Sequence, residues 1–132
     1  MPMNIMTNEK ENVGEAYALF YCEASEEQFK AELPKIRSLV QTPSQLEITL
    51  KKGTDLSTLG SEEKNFAISR GAIEDGMNYS LQARCKNMTN KEAAGEVTAI
   101  LNQAYQSPLY KDGVEFRGGV FYEQNGRYVF AD

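Results

Sequence analysis

Ala16-Tyr17-Ala18-Leu19-Phe20-Tyr21-Cys22 is apolar or aromatic at every position. An uninterrupted apolar run this short predicts a central strand, covered at least partly on both faces. Successive side chains of a strand point to opposite sides. The run therefore divides into Ala18, Phe20 and Cys22 on one face and Tyr17, Leu19 and Tyr21 on the other. Which set meets the rest of the core decides how the chain folds and what surface it leaves for function.

Downstream, Ser25 is followed three residues later by Gln28, a capping-box pair in which each side chain satisfies a backbone donor of a first helical turn. Phe29, Leu33, Ile36 and Val40 then recur at spacings of four, three and four, one apolar stripe opposite Glu26, Lys30 and Arg37. Pro34 lies inside this pattern and predicts either a kink or a division into two short helices, because an interior proline deletes a hydrogen bond and crowds the preceding turn. The helix is expected to end at Thr42-Pro43-Ser44. After it Leu46, Ile48 and Leu50 alternate with Glu47, Thr49 and Lys51, a strand with one wet face.

From Gly53 to Gly76 no period is sustained, and Asp75-Gly76 is a tight-turn dipeptide. Tyr79, Leu81, Ala83 and Cys85 then alternate with Asn78, Ser80, Gln82 and Arg84, a third strand. Thr89 with Glu92 repeats the capping box, and Ala93, Val97, Ile100, Leu101 and Ala104 form the stripe of a second helix that must stop before Pro108. Val114 to Arg117 and Val120 to Glu123 are β-prone pieces, and Gly118-Gly119 between them predicts a bulge or bend. Asn125-Gly126 predicts a hairpin between Phe121-Tyr122-Glu123 and Arg127-Tyr128-Val129-Phe130. Upstream, residues 1–14 mix Asn, Glu, Lys and Thr without a period and are expected to be a flexible tail, leaving 15–132 as a single domain.

Strand, helix, strand, strand, helix and a final strand pair predict an α+β sandwich with both helices on one face of a mainly antiparallel sheet of four or five strands. The order resembles the ferredoxin-like, split β-α-β arrangement, with an extra C-terminal hairpin. In this arrangement Tyr79, Leu81, Ala83, Cys85, Ala18, Phe20 and Cys22 point to the helices. The opposite face carries Glu47, Thr49, Lys51, Ser80, Gln82 and Arg84, crossed by the stripe of Tyr17, Leu19 and Tyr21. Such a stripe calls for a cover: the segment 53–76 or the C-terminal hairpin, a second copy, or a ligand or partner chain.

Composition narrows the functional classes. A net charge of -5 disfavours binding to a phosphate backbone, which draws its affinity from clustered Lys and Arg. No apolar run approaches the roughly 18 residues of a membrane-spanning helix, and Met1 to Val13 lacks the basic and apolar regions of a signal peptide, so the cytoplasm is the expected compartment. Two cysteines are too few for a disulfide framework. The absence of histidine removes the commonest general base and metal ligand.

Chemistry is therefore sought in three places. Cys22 and Cys85 each stand near the end of a strand and a few residues before a helix cap. The ferredoxin-like order is expected to set the first and third strands side by side and parallel, so that the two thiols at their carboxyl ends lie close enough for a redox or metal-handling pair. A closed zinc site would need two more ligands than they supply, and no metal or other cofactor is expected. Phe116-Arg117-Gly118-Gly119-Val120-Phe121-Tyr122 is similar to the aromatic motif of RNA-binding sheets, but it falls after the second helix instead of on the third strand. The pairs Glu26-Glu27, Glu62-Glu63 and Glu74-Asp75 have the look of solvated surface, and Gly118-Gly119 lacks the spacing of a phosphate loop. The expectation is a small, non-enzymatic binding domain acting through Tyr17, Leu19 and Tyr21 on an open sheet face, toward itself, a protein partner or a small metabolite. A thiol-dependent activity at Cys22 and Cys85 and an RNA-binding sheet are the alternatives.

Overall fold

In a computed structural model the chain is described over residues 12–54, 61–62, 64–65, 78–110 and 117–131. Among the described residues these elements follow one another: β1 (Val13–Tyr21), α1 (Glu26–Val40), β2 (Glu47–Thr54), β3 (Asn78–Lys86), α2 (Asn90–Tyr105), β4 (Arg117–Gln124) and β5 (Arg127–Phe130). The strands make one open sheet in the order β2-β3-β1-β4-β5, and every neighbouring pair is antiparallel. The apolar run from Ala16 to Tyr21 thus lies in the middle strand of the sheet, as its composition predicts.

Both capping boxes form. Ser25 Oγ accepts from the Gln28 amide at 3.1 Å while Gln28 Oε1 accepts from the Ser25 amide at 3.0 Å. Thr89 and Glu92 repeat the exchange at 3.0 and 2.8 Å. Each box satisfies two donors that helix geometry leaves orphaned. α1 closes on Gln41 in the left-handed conformation, φ 54°, and Arg37 reaches past it to the carbonyl of Leu46 at 2.6 Å, tying the end of the helix to the start of β2.

Three sequence expectations are corrected. Of the two outcomes expected at Pro34, a kink or a division, division does not occur: α1 is one helix from Glu26 to Val40, and Pro34 is exposed on it. Gly118 and Gly119 make no bulge. They pair in register with Phe20 and Leu19 inside a continuous β4. The irregularity falls instead in β2, between Lys52 and Thr54, where Gly53 takes φ 86°. Val13 and Gly14, the last two residues of the expected tail, lie in β1, paired with Lys86 and Cys85. Ladder hydrogen bonds recruit backbone whatever the side chains. Residues 1–11, the Asp75-Gly76 turn and most of 53–76 lie outside the described residues.

The Asn125-Gly126 hairpin forms as its dipeptide predicts, with φ 54° and 81° at the two turn positions and Gln124 paired to Arg127. β5 lies beside β4 and widens the sheet.

Both helices share one face. Ala16, Ala18 and Phe20 of β1, Cys22 just past its end, and Tyr79, Leu81, Ala83 and Cys85 of β3 lie in the same buried cluster as Phe29 and Ile36 of α1 and Ala93, Val97, Ile100 and Leu101 of α2. The alternation predicted for both strands therefore holds. At one end of this core Phe20, Phe29 and Tyr79 pack ring to ring, with centroids 5.2 to 5.7 Å apart. Fully burying each such ring contributes about 2–3 kcal/mol. At the other end Gly14 lets β1 pass close beneath the start of α2. A Cβ there would collide with the carbonyl oxygens of Thr89 and Met88.

Candidate functional site

Directly opposed residues of an antiparallel pair share a face, so the register lays out the side of the sheet turned away from the helices. One row across it reads Thr49, Gln82, Tyr17, Phe121 and Phe130. The next reads Lys51, Ser80, Leu19 and Gly119. Beyond the first row, Glu47, Arg84 and Glu15 stand in line. Tyr17 and Leu19 fall on this face, as predicted from their parity, and Tyr21 falls two residues farther along the same side.

The C-terminal hairpin does not fold across the stripe. By extending the sheet it adds rings to it. Tyr17 stacks on Phe121 at 5.7 Å between centroids, and Tyr128 meets both rings edge-on at 6.3 and 5.6 Å. Leu19 and Phe121, each 2 % exposed, are almost wholly withdrawn from water although they lie outside the helix-side cluster. Between Tyr17, Leu19 and Phe121 on one side and Thr49, Lys51, Ser80 and Gln82 on the other lies a hollow of about 300 Å³.

Its electrostatics are uneven. Glu15 accepts from the Tyr17 hydroxyl at 3.0 Å and is bridged by Arg84 at 2.9 Å, and Glu123, opposite Tyr128, stands on the same face. Lys51, opposite Ser80, makes no ion pair to another described residue and lines the hollow. It is the single charged group among the described lining residues.

The proposed thiol pair is not a pair. β1 and β3 run antiparallel, not parallel, so their carboxyl ends lie at opposite ends of the sheet. Cys85 faces Gly14, and Cys22 stands eight residues on from Gly14, just past the end of β1, about 26 Å away at ~3.3 Å per residue. Both thiols are free and buried. Cys22 donates to the carbonyl of Leu109 at 3.6 Å, beside the enclosed Tyr110 hydroxyl, which meets no partner at hydrogen-bonding geometry. Burial pushes the Cys22 thiol up, and a backbone contact at Ala24, the Tyr110 hydroxyl and the charge of Lys52 only partly offset it. Cys85 borders a second hollow, of about 400 Å³, in which Arg84, Lys86 and Glu47 mix both signs of charge. Among the described residues no three of Cys, Asp and Glu converge as a metal site would require.

Sequence reasoning missed Phe121 and Tyr128. The signal was present in part: a two-residue Asn125-Gly126 loop pairs Phe121 with Phe130 and Glu123 with Tyr128, which puts Phe121 and Tyr128 on one face. What no local pattern carries is the partner of β4. Only its pairing with β1, Tyr17 against Phe121, joins the two sets of rings.

Among the described residues no helix is long and apolar enough to cross a membrane. Neither a protein-family model, nor a curated protein, nor a solved structure matches this chain.

Proposed function

We propose that the chain is a non-enzymatic binding domain that takes a small molecule in the hollow on the open face of its sheet. The observation that carries this reading is the hollow itself: about 300 Å³, at the small end of the range for ligand pockets, with Tyr17, Leu19 and Phe121 along its apolar side and a few polar groups opposite. Apolar walls with a small number of placed polar groups are what orient a ligand, because the walls supply affinity and the polar groups discriminate. The antiparallel order β2-β3-β1-β4 with both helices on one face supports a ferredoxin-like fold, extended at one edge by β5.

An enzymatic reading draws little support. Two distant thiols, one held protonated by burial, offer no activated nucleophile, and without histidine no general base of the usual kind stands near them.

A ligand-observed NMR screen of a chemically diverse fragment library tests the reading. Its hits are located by shifts of the Leu19 methyls and lost in Thr49→Trp, an exposed strand position where an indole fits the sheet and fills the hollow. Hits that leave the Leu19 methyls unmoved, or the absence of hits, would overturn it. A solution mass of two chains with the Leu19 methyls protected would replace it with self-association through this face.

A further inference from the structure

We infer that Asn125 is a site of spontaneous covalent modification: its side chain closes on the Gly126 amide and hydrolyses to isoaspartate, a change that releases β5 from the edge of the sheet. The inference is independent of what the hollow binds.

The chemistry starts from the sequence. Among the chain's asparagines, Asn125 alone is followed by glycine. A carboxamide is open to attack by the backbone nitrogen of the next residue, and a Cβ on that residue obstructs the approach; glycine has none. In the first step the Gly126 nitrogen bonds to Asn125 Cγ, the bond from Cγ to Nδ2 breaks, and the proton from the Gly126 amide leaves with Nδ2 as ammonia. Water then opens the five-membered imide, its hydroxyl going to a ring carbonyl and its proton to the ring nitrogen. Opening at the side-chain carbonyl gives aspartate. Opening at the main-chain carbonyl gives isoaspartate, whose backbone runs through Cβ. Water is the only co-reactant.

The structure supplies access. Asn125 and Gly126 are exposed at the tip of the hairpin, between the paired Gln124 and Arg127, and the space where a Gly126 Cβ would stand is empty to 4 Å. Among the described residues neither the Asn125 carboxamide nor the Gly126 amide has a hydrogen-bond partner, so the attack gives up no bond. The turn holds the two residues at φ 54° and 81°, and ring closure needs the Gly126 nitrogen to swing toward the Asn125 side chain as the hairpin opens. β5 is four residues long and the outermost described strand on its side of the sheet, laddered to β4, and short edge segments open at low free energy.

Isoaspartate adds one atom to the main chain of a two-residue loop. Loop length sets the register of a hairpin, so Gln124 and Arg127 no longer close on the same turn. The pairs Glu123 with Tyr128 and Tyr122 with Val129 loosen next, and Tyr128 is withdrawn from its edge-on contacts with Tyr17 and Phe121. The aromatic row of the sheet thus loses a ring as the chain ages.

Incubating the native chain at mildly alkaline pH, with peptide mass spectrometry, tests the site. The amide-to-acid mass change should appear at Asn125 at least about tenfold faster than at Asn12, Asn87 or Asn102, each followed by a larger residue. Hydrogen exchange of the isolated isoaspartyl form tests the consequence. The Ala131 amide, which donates to the Val120 carbonyl at 2.9 Å, should exchange at least about tenfold faster than in the fresh chain. Fresh Asn125→Asp, which brings the charge without the extra backbone atom, and incubated Asn125→Gly, which suits the same turn, should both keep the exchange of the fresh chain. Conversion at Asn125 no faster than at the other three asparagines would overturn the site. Unchanged exchange in the isoaspartyl form, or equal acceleration in Asn125→Asp, would overturn the release of β5 by the lengthened backbone.

Discussion

Cys22 shows how a single residue's environment reverses an attractive reading. Its place at the end of β1, just ahead of the α1 cap, suggests a thiol that a helix terminus could activate. With 1 % of its surface exposed, its hydrogen committed to Leu109 and its pKa raised by burial, it is instead held as an inert thiol. Iodoacetamide at neutral pH is therefore expected to modify Cys22 at least tenfold more slowly in the native protein than in the denatured chain, followed by mass spectrometry. Equal rates would contradict the burial. Gly14 is the opposite case, an unremarkable residue in the sequence that the fold cannot replace. Gly14→Ala forces β1 away from the Thr89 and Met88 carbonyls and is expected to cost about 1–3 kcal/mol in chemical denaturation, as overpacking of a tight contact does.

At the scale of elements, the helices are specified locally and bear this out in their ends. Removing the cap hydroxyl in Thr89→Ala leaves the Glu92 amide unsatisfied at the start of α2 and is expected to lower stability by about 1 kcal/mol, measured as a shift in denaturation midpoint with an unchanged slope. Pro34 is the one residue of α1 that opposes its helix. Because α1 continues through it and its ring is exposed, Pro34→Ala restores a backbone hydrogen bond without opening a cavity. It should raise stability by about 1–3 kcal/mol, the gain in the helix being trimmed by the greater freedom of the unfolded chain. A loss of stability in this variant would mean that the proline is needed for the angle at which α1 meets the sheet.

For the whole molecule, the buried ionisable groups set a limit on alkaline stability. Cys22, Tyr79 and Tyr110 are all enclosed in the core, and desolvation raises all three, Tyr79 to about 12 and Tyr110 further. The folded chain therefore holds protons that the unfolded chain has already released. Their contribution is complete below the ordinary thiol value of about 9.0 and drains away as pH rises through the folded values. Unfolding midpoints should fall progressively above pH 9, and the decline should be shallower in a Cys22→Ala, Tyr79→Phe double variant. Parallel pH profiles for the two proteins would exclude these groups as the cause. Tyr79→Phe also loses the bond to the Ala24 carbonyl, which Lys52 shares at 3.1 Å, so its neutral-pH stability should be lower by about 1 kcal/mol.

Most of the element types, both capping boxes, the hairpin turn and the alternation of β1 and β3 were legible in the amino-acid sequence, because each depends on residues within a few positions of one another. Periodicity sorts side chains onto faces, and caps and Asn-Gly turns mark ends, whatever the rest of the chain does. Strand direction and partner were not legible in this way. They placed Cys85 about 26 Å from Cys22 instead of beside it, and set Phe121 of β4 against Tyr17 of β1 and Lys51 of β2 in line with Leu19. Those pairings join segments tens of residues apart, and the energy that selects them is burial summed over the whole sheet. The hollow on the face turned away from the helices exists only once that sum has chosen an arrangement.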